Sequence, residues 1–235
     1  MTNLKFIFGR LLGAIPTLLV LICFAFFLVK SAPGGPFDFE RSLPEEVERN
    51  LREAYNLDDP LYLQLTKYVG SILTGDFGPS FQYRDYTVTE LIMSGFPVSL
   101  RLGVAAIFLA LILGGTIGTI AALNQNSRLD YSVMFFGMVG ISIPNFVMAP
   151  LLVLIFSIAL NILPAGGYAN GAPLHMILPV VALALPQAAY IARLTRGSMI
   201  EVLNSNFVRT TRAQGLPLNT IIFKHVLKPT FLPVI

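Results

Sequence analysis

Four basic side chains share one short segment near the end of an otherwise apolar chain: Arg209, Arg212, Lys224 and Lys228. The segment RTTRAQGLPLNTIIFKHVLKP (209–229) contains no acid. It could grip anionic lipid headgroups, a common role for basic side chains at a membrane surface. It could equally present a helix face with Thr210, Ala213 and Pro217 to a groove on another protein. Composition alone favours neither kind of binding.

The local sequence predicts the shape of this segment. Residues 198–214 have fair helical propensity, and QGLP (214–217) interrupts it. Gly215 suits a helical C-terminus, and Pro217 prevents continuation of the same helix. We therefore expect a short, firm helix that projects from the membrane between two spans.

Two polar side chains lie within long apolar stretches. Asn145 directly follows Pro144, and Gln187 directly follows Pro186. Each proline removes a backbone hydrogen bond and tends to kink its helix. A polar side chain at membrane depth is costly unless it faces another helix or a wet cavity. Asn145 and Gln187 therefore either hydrogen-bond between helices or line a substrate path.

Several chemistries lack their residues. There is no Gly-x-x-x-x-Gly-Lys-Ser/Thr loop for ATP, and His175 and His225 form no His-Glu-x-x-His zinc motif. No cofactor is therefore expected on this chain, and a membrane enzyme is disfavoured. No Asp or Glu lies within the predicted spans, which counts against a proton- or sodium-driven carrier unless helices missing from the chain supply the acid.

Composition identifies the elements that position these residues. The 235-residue chain is 54% hydrophobic and 12% charged, well below the roughly 25% charged of a soluble domain. Because a bilayer needs about 20 apolar residues per helix, the uncharged runs predict an all-α polytopic membrane protein with four spans: about 10–30, 98–123, 132–159 and 174–193. The first is a retained anchor in preference to a cleaved signal, since no small-x-small site follows it.

Charge placement predicts the orientation. All acids except Asp130 and Glu201 fall between Asp38 and Glu90, whereas the N-terminus, the 124–131 loop and the 194–228 segment together hold eight Lys or Arg residues against those two acids. The positive-inside rule makes the basic side cytoplasmic. The acidic region faces outward, and the positive charge is a topology signal with no nucleic-acid partner implied.

The domain boundaries follow. We expect an N-terminal transmembrane helix at 1–30, an extracytoplasmic helical insertion at 31–97 and a three-span core at 98–235, with a cytoplasmic loop at 194–228. In the insertion, Ser42 and Glu45 fit a capping box. Leu61, Leu65, Tyr68 and Ile72 repeat at helical spacing, and TVTELI (87–92) predicts a short helix before Pro97.

Two further local features complete the prediction. Gly114 and Gly118 lie four residues apart in the second span, a spacing that lets another helix approach closely. The closing PTFLPVI is apolar but too short to span, which suggests a chain truncated inside a fifth helix. The lone Cys23 provides no disulfide framework.

The basic segment also resembles a known motif. Permeases of binding-protein-dependent ABC importers carry Glu-Ala-Ala, three residues, Gly, nine residues and Ile-x-Leu-Pro in a cytoplasmic loop. Aligned on Gly215, this motif places Arg209–Thr210–Thr211 at Glu-Ala-Ala, His225 at Ile and Leu227 at Leu. A base replaces the acid and Pro229 is displaced by one residue, as in the peptide-permease branch.

Longer stretches resemble the oligopeptide-permease B-subunit family: RLLGAIPTLLVLICFAFFLVKSAPGGPF, NLDDPLYLQLTKYV, GDFGPSFQYRDYTV, SIPNFVMAPLLVLIF, ARLTRGSMIEVLNSNFVRTTRAQGLP and HVLKPTFLPVI. The resemblance implies a type I (MetI-like) bundle with six helices in a bacterial inner membrane. It also implies a C-type permease partner, two ATP-binding subunits and an extracytoplasmic peptide-binding protein, with ATP bound by the partners.

On that resemblance, the cytoplasmic helix couples ATP hydrolysis to transport. The residues implied in ATPase coupling are Arg209, Thr210, Thr211, Arg212, Ala213, Gly215, Leu216 and Pro217. The outer insertion would help to dock the binding protein. A secondary carrier, a structural membrane subunit and an ABC permease for dipeptides or nickel are the alternatives.

Overall fold

The computed structural model describes residues 2–31, 59–80, 83 and 86–234 and is built from helices in those ranges. This confirms the all-α class. Within these ranges, three helices are long and apolar enough to cross a membrane, and a bent pair provides a fourth candidate if it is counted as one span. The predicted capping box at Ser42 and Glu45 lies outside the described residues.

Two compact units divide the chain, 1–95 and 96–235. In the first unit, helix α1 (Thr2–Ser31) carries the N-terminal apolar run, and α2 (Leu61–Leu73) has the predicted helical spacing. Phe26 of α1 is buried and its ring lies 5.8 Å from that of Tyr68. Nearly all of the remaining α1 surface is exposed, as expected of a helix that meets lipid.

Helix α3 (Val88–Leu123) starts earlier than predicted. We expected a short helix ending before Pro97, but the helix continues through that proline. A capping box stabilises the early start, because the Thr87 backbone N–H donates to Glu90 Oε2 at 2.8 Å and the Glu90 N–H donates to Thr87 Oγ1 at 3.1 Å.

The second unit contains α4 (Arg128–Ser142), α5 (Asn145–Leu152) and a π-helical extension (Val153–Ala159). The axis turns by 104° between α4 and this second half at Ile143–Pro144. The predicted kink at Pro144 is therefore a sharp break. Helix α6 (Pro173–Leu203) contains Pro179 and Pro186 without interruption.

Within this unit, the contact between α3 and α6 is made of small residues that let the two helices approach closely. Ala106 and Ala110 of α3 pack with Ala184 and Ala188 of α6. At Gly118, an added Cβ would lie 2.5 Å from the Ala192 carbonyl oxygen. Alanine and glycine thus replace the bulky side chains of a soluble core, as in other membrane helix pairs.

Candidate functional site

The basic segment forms two helical pieces joined by a tight turn. Helix α7 (Asn206–Ala213) comes first; it is followed by a C-terminal helical segment made of Leu218–Thr220, π-helical Ile221–Val226 and Leu227–Phe231. Gly215 has φ +76°, the left-handed conformation that favours glycine, and its N–H donates to the Arg212 carbonyl at 3.0 Å. The predicted stop at Gly215 is therefore present.

The helical stretch before this stop is divided, whereas 198–214 was predicted to be helical throughout. Helix α6 ends at Leu203, and Ser205 adopts an extended conformation (φ −69°, ψ 155°) before α7. The Ser205 hydroxyl donates to the Val202 carbonyl at 2.6 Å, and Asn204 Nδ2 donates to the Ile200 carbonyl at 2.9 Å. These local bonds satisfy the end of α6 and let α7 leave in a new direction.

Helix α7 has one inward face. Val208 is fully buried and Thr211, three residues later, is 8% exposed. The Thr211 hydroxyl donates to the Phe207 carbonyl at 2.6 Å, so this buried hydroxyl has a hydrogen-bond partner. Thr211, one of the predicted coupling residues, therefore faces the protein's own interior.

The other predicted coupling residues are exposed: Arg209, Thr210, Arg212, Ala213, Gly215, Leu216 and Pro217. Large apolar side chains accompany them, with Phe207 46% exposed, Leu216 37% and Leu218 54%. We call these seven residues with Phe207 and Leu218 the coupling surface. It combines two arginines, small residues and apolar side chains, which is the composition of a protein-binding patch.

A buried apolar cluster holds the coupling surface in place. Val208 packs with Met199 of α6, Ala122 of α3 and three residues of the C-terminal helical segment, namely Ile221, Ile222 and Val226. Met199, Val208 and Val226 have no exposed surface. Because close-packed interiors transmit displacement, a push on α7 would reach α6 and the C-terminal segment.

An ion pair next to this cluster was not predicted. Arg196 Nε donates to Asp130 Oδ1 at 2.5 Å and Arg196 Nη2 donates to Oδ2 at 2.6 Å, which joins α6 to the start of α4. The available signal was that Asp130 is one of only two acids on the predicted cytoplasmic side. An acid beside an apolar stretch needs a basic partner, but the sequence spacing does not show which basic residue that is.

The two polar residues of the apolar stretches are both exposed on the chain surface. Asn145 begins α5 at the 104° break, whereas Gln187 lies within continuous α6. Neither side chain makes a hydrogen bond to any other residue that the structure describes. Among the described residues, neither Asn145 nor Gln187 therefore has an interhelical hydrogen bond.

Both predicted packing glycines lie against α6. An added Cβ at Gly114 would be 2.6 Å from the Ala188 carbonyl oxygen. An added Cβ at Gly118 would be 2.5 Å from the Ala192 carbonyl oxygen. Real Cβ atoms do not approach backbone this closely. Among the described residues, no group of three His, Cys, Asp or Glu side chains could hold a metal ion.

Comparison with known proteins places these features in a family. Residues 114–235 match the model for the binding-protein-dependent transport system inner membrane component, and residues 3–103 match the N-terminal model of such membrane components. The first match includes α7 and the whole coupling surface.

Named relatives cover almost the entire chain. The oligopeptide transport system permease protein OppB of Salmonella typhimurium is 57% identical over 232 residues, which are 99% of this chain and 76% of the relative. OppB of Escherichia coli K12 has the same identity and coverage. The dipeptide transport system permease protein DppB of Bacillus subtilis is 45% identical over 231 residues, 98% of this chain and 74% of the relative. The chain is a permease that belongs to the family of binding-protein-dependent transport system inner membrane components.

Proposed function

We propose that this chain is a permease subunit of an ATP-driven importer of oligopeptides and forms half of the translocation pathway. The observation that carries the proposal is 57% identity over 99% of the chain to permeases named for oligopeptide transport. The partners are a second permease subunit of C type, two ATP-binding subunits and an extracytoplasmic peptide-binding protein. Those ATP-binding subunits supply the energy, so this chain needs no ATP site of its own.

The coupling surface is the proposed contact with an ATP-binding subunit. Its exposed face holds two arginines without an acid, with Ala213 and Gly215 small enough for close backbone approach. Three exposed apolar side chains extend the patch beyond the arginines. When the ATP-binding subunits close on ATP, they would push α7. This push would tilt the membrane spans and open the translocation pathway toward the outside.

The polar break in the third span is the proposed part of the pathway. Irregular backbone at membrane depth is tolerated where protein or a water-filled cavity covers it. The 104° bend at Ile143–Pro144 is such a break, and Asn145 stands exposed directly after it. Gln187 is also exposed and without a hydrogen bond in the described residues, which supports a place on the same path.

Dipeptides are the second candidate substrate, because a permease named for dipeptide transport is 45% identical over 98% of the chain. Uptake of a labelled tetrapeptide in cells that depend on this chain separates the two. Oligopeptide import predicts that unlabelled tri- and tetrapeptides compete strongly and dipeptides weakly. Stronger competition by dipeptides than by tri- and tetrapeptides would identify dipeptides as the substrate.

Orientation provides a separate prediction. In a Cys23→Ala background, we expect Gln214→Cys to react with a membrane-impermeant maleimide only after the membrane is opened, because the basic segment is cytoplasmic. Ala165→Cys, in the outer loop, should react in intact spheroplasts. Both positions are exposed. Labelling of Gln214→Cys in intact spheroplasts would show that the basic segment lies outside, which contradicts the predicted orientation.

A further inference from the structure

The Asp130–Arg196 ion pair joins two helices that are far apart in sequence. The Asp130 side chain is 1% exposed and that of Arg196 is 24% exposed. Two hydrogen bonds run from the guanidinium to the two carboxylate oxygens, at 2.5 and 2.6 Å. A bidentate contact of this kind fixes orientation as well as distance.

The loop before α4 is shaped around the same carboxylate. The Asn126 backbone N–H donates to Asp130 Oδ2 at 2.9 Å, and Asn126 adopts a left-handed conformation with φ +63°. The Ser127 hydroxyl oxygen accepts from the Asp130 backbone N–H at 3.2 Å. The carboxylate therefore accepts three hydrogen bonds, and the loop before α4 helps to fix its direction together with Arg196.

Arg196 lies close to the point where α6 meets α7. Met199, three residues further along α6, is fully buried against Val208 of α7. On the same face of α6, Ala192 and Thr195 lie against Gly118 of α3. The cytoplasmic end of α6 is thus packed against α3 and α7, while the ion pair connects it to α4.

Helix α4 leads from this ion pair to the 104° break that precedes Asn145. A buried ion pair adds little net stability over an apolar pair, and its best-attested use is to select one arrangement of the elements it joins. We propose that Asp130 and Arg196 are positioning residues that make α4 follow α6 when the coupling surface is moved. The ion pair thereby carries movement of α7 to the broken span, an inference that rests on the proposed function.

Asp130→Asn is the primary test. The amide retains an oxygen for the Asn126 N–H, and Arg196, which is partly exposed, can reach water. The assay uses the complete transporter in proteoliposomes and measures peptide transported per ATP hydrolysed. We expect this ratio to fall by about tenfold, within the range typical of coupling between two sites, while capture of the ATP-binding subunits is unchanged.

Arg193→Gln is the matched control. Arg193 lies one turn before Arg196 on α6, is exposed and stacks over the Tyr190 ring at 5.6 Å. Removal of this charge should leave the transport ratio at the wild-type value. Arg196→Lys retains both charges of the pair but loses the bidentate contact, so its ratio should lie between those of wild type and Asp130→Asn.

The outcomes separate this inference from the function on which it rests. A wild-type ratio in Asp130→Asn would overturn the positioning role while leaving the importer intact. If Asp130→Asn does not insert into the membrane, the Arg196→Lys variant provides the test. A wild-type ratio of peptide transported to ATP hydrolysed in Arg196→Lys would then overturn the positioning role. Absence of ATP-dependent uptake by the wild-type transporter would instead refute the proposed function.

Discussion

Gly215→Asp is expected to abolish most ATP-driven peptide uptake without blocking membrane insertion. Gly215 is exposed at the turn after α7, and none of the residues that the structure describes lies within 4 Å of an added Cβ. A side chain there would meet the docked partner and hold its backbone away. The loss of a central interface contact costs about 2 kcal/mol or more, so uptake should fall by about 30-fold or more.

Backbone strain is the competing explanation for such a result, because Gly215 has φ +76°. Gly75→Asp controls for it. Gly75 has φ +80°, is exposed, and an added Cβ there also meets none of the described residues within 4 Å. Membrane levels of the two variants should be equal, but only Gly215→Asp should lose capture of ATP-binding subunits. Normal uptake by Gly215→Asp would remove Gly215 from the coupling surface.

Gly118→Val is expected to destabilise the helical core of residues 96–235. Its Cβ would lie 2.5 Å from the Ala192 carbonyl oxygen and 2.9 Å from Thr195 Cβ, so α3 and α6 would have to separate. Overpacking of this kind costs about 1–3 kcal/mol, and occasionally more. The melting temperature of the detergent-solubilised protein should fall by several degrees, with a lower yield of monodisperse protein.

Gly103→Val is the matched substitution on the same helix. In the part of the chain that the structure describes, an added Cβ at Gly103 meets nothing within 4 Å. Since both variants place valine within α3, their helix propensities are equal. A higher or equal melting temperature for Gly118→Val relative to Gly103→Val would contradict close α3–α6 packing.

The spans and the turn after α7 follow from short-range sequence, which is why they could be predicted. Uncharged runs set the apolar helices, and Gly215 before Pro217 sets the stop. The inward direction of Thr211 could not come from the motif alignment, which groups it with Arg209 and Thr210. It depends on packing of Val208 against Met199, a contact between different helices.

The ion pair and the bend depend on tertiary structure. Asp130 and Arg196 are 66 positions apart, and no local pattern joins them. Pro144 indicates a kink, but the 104° angle cannot be read from the sequence, because both halves of the bent pair pack against α6, which is distant in sequence. Likewise, the spacing of Gly114 and Gly118 predicts a close approach, whereas the identity of the approaching helix needs the fold.

Affinity capture of ATP-binding subunits from native membranes tests the central claim most directly. Deletion of residues 209–218 would remove buried Thr211 together with the exposed face, so a single exposed substitution is cleaner. Ala213→Asp changes the coupling surface, and Gln125→Asp places the same charge on the exposed loop between α3 and α4.

We predict that wild type and Gln125→Asp capture ATP-binding subunits, identified by mass, and that Ala213→Asp loses most of them. Equal capture by Ala213→Asp would contradict the assignment of α7 as the coupling helix. If the inserted, intact wild-type chain captures no ATP-binding subunit, the ATP-driven importer assignment fails.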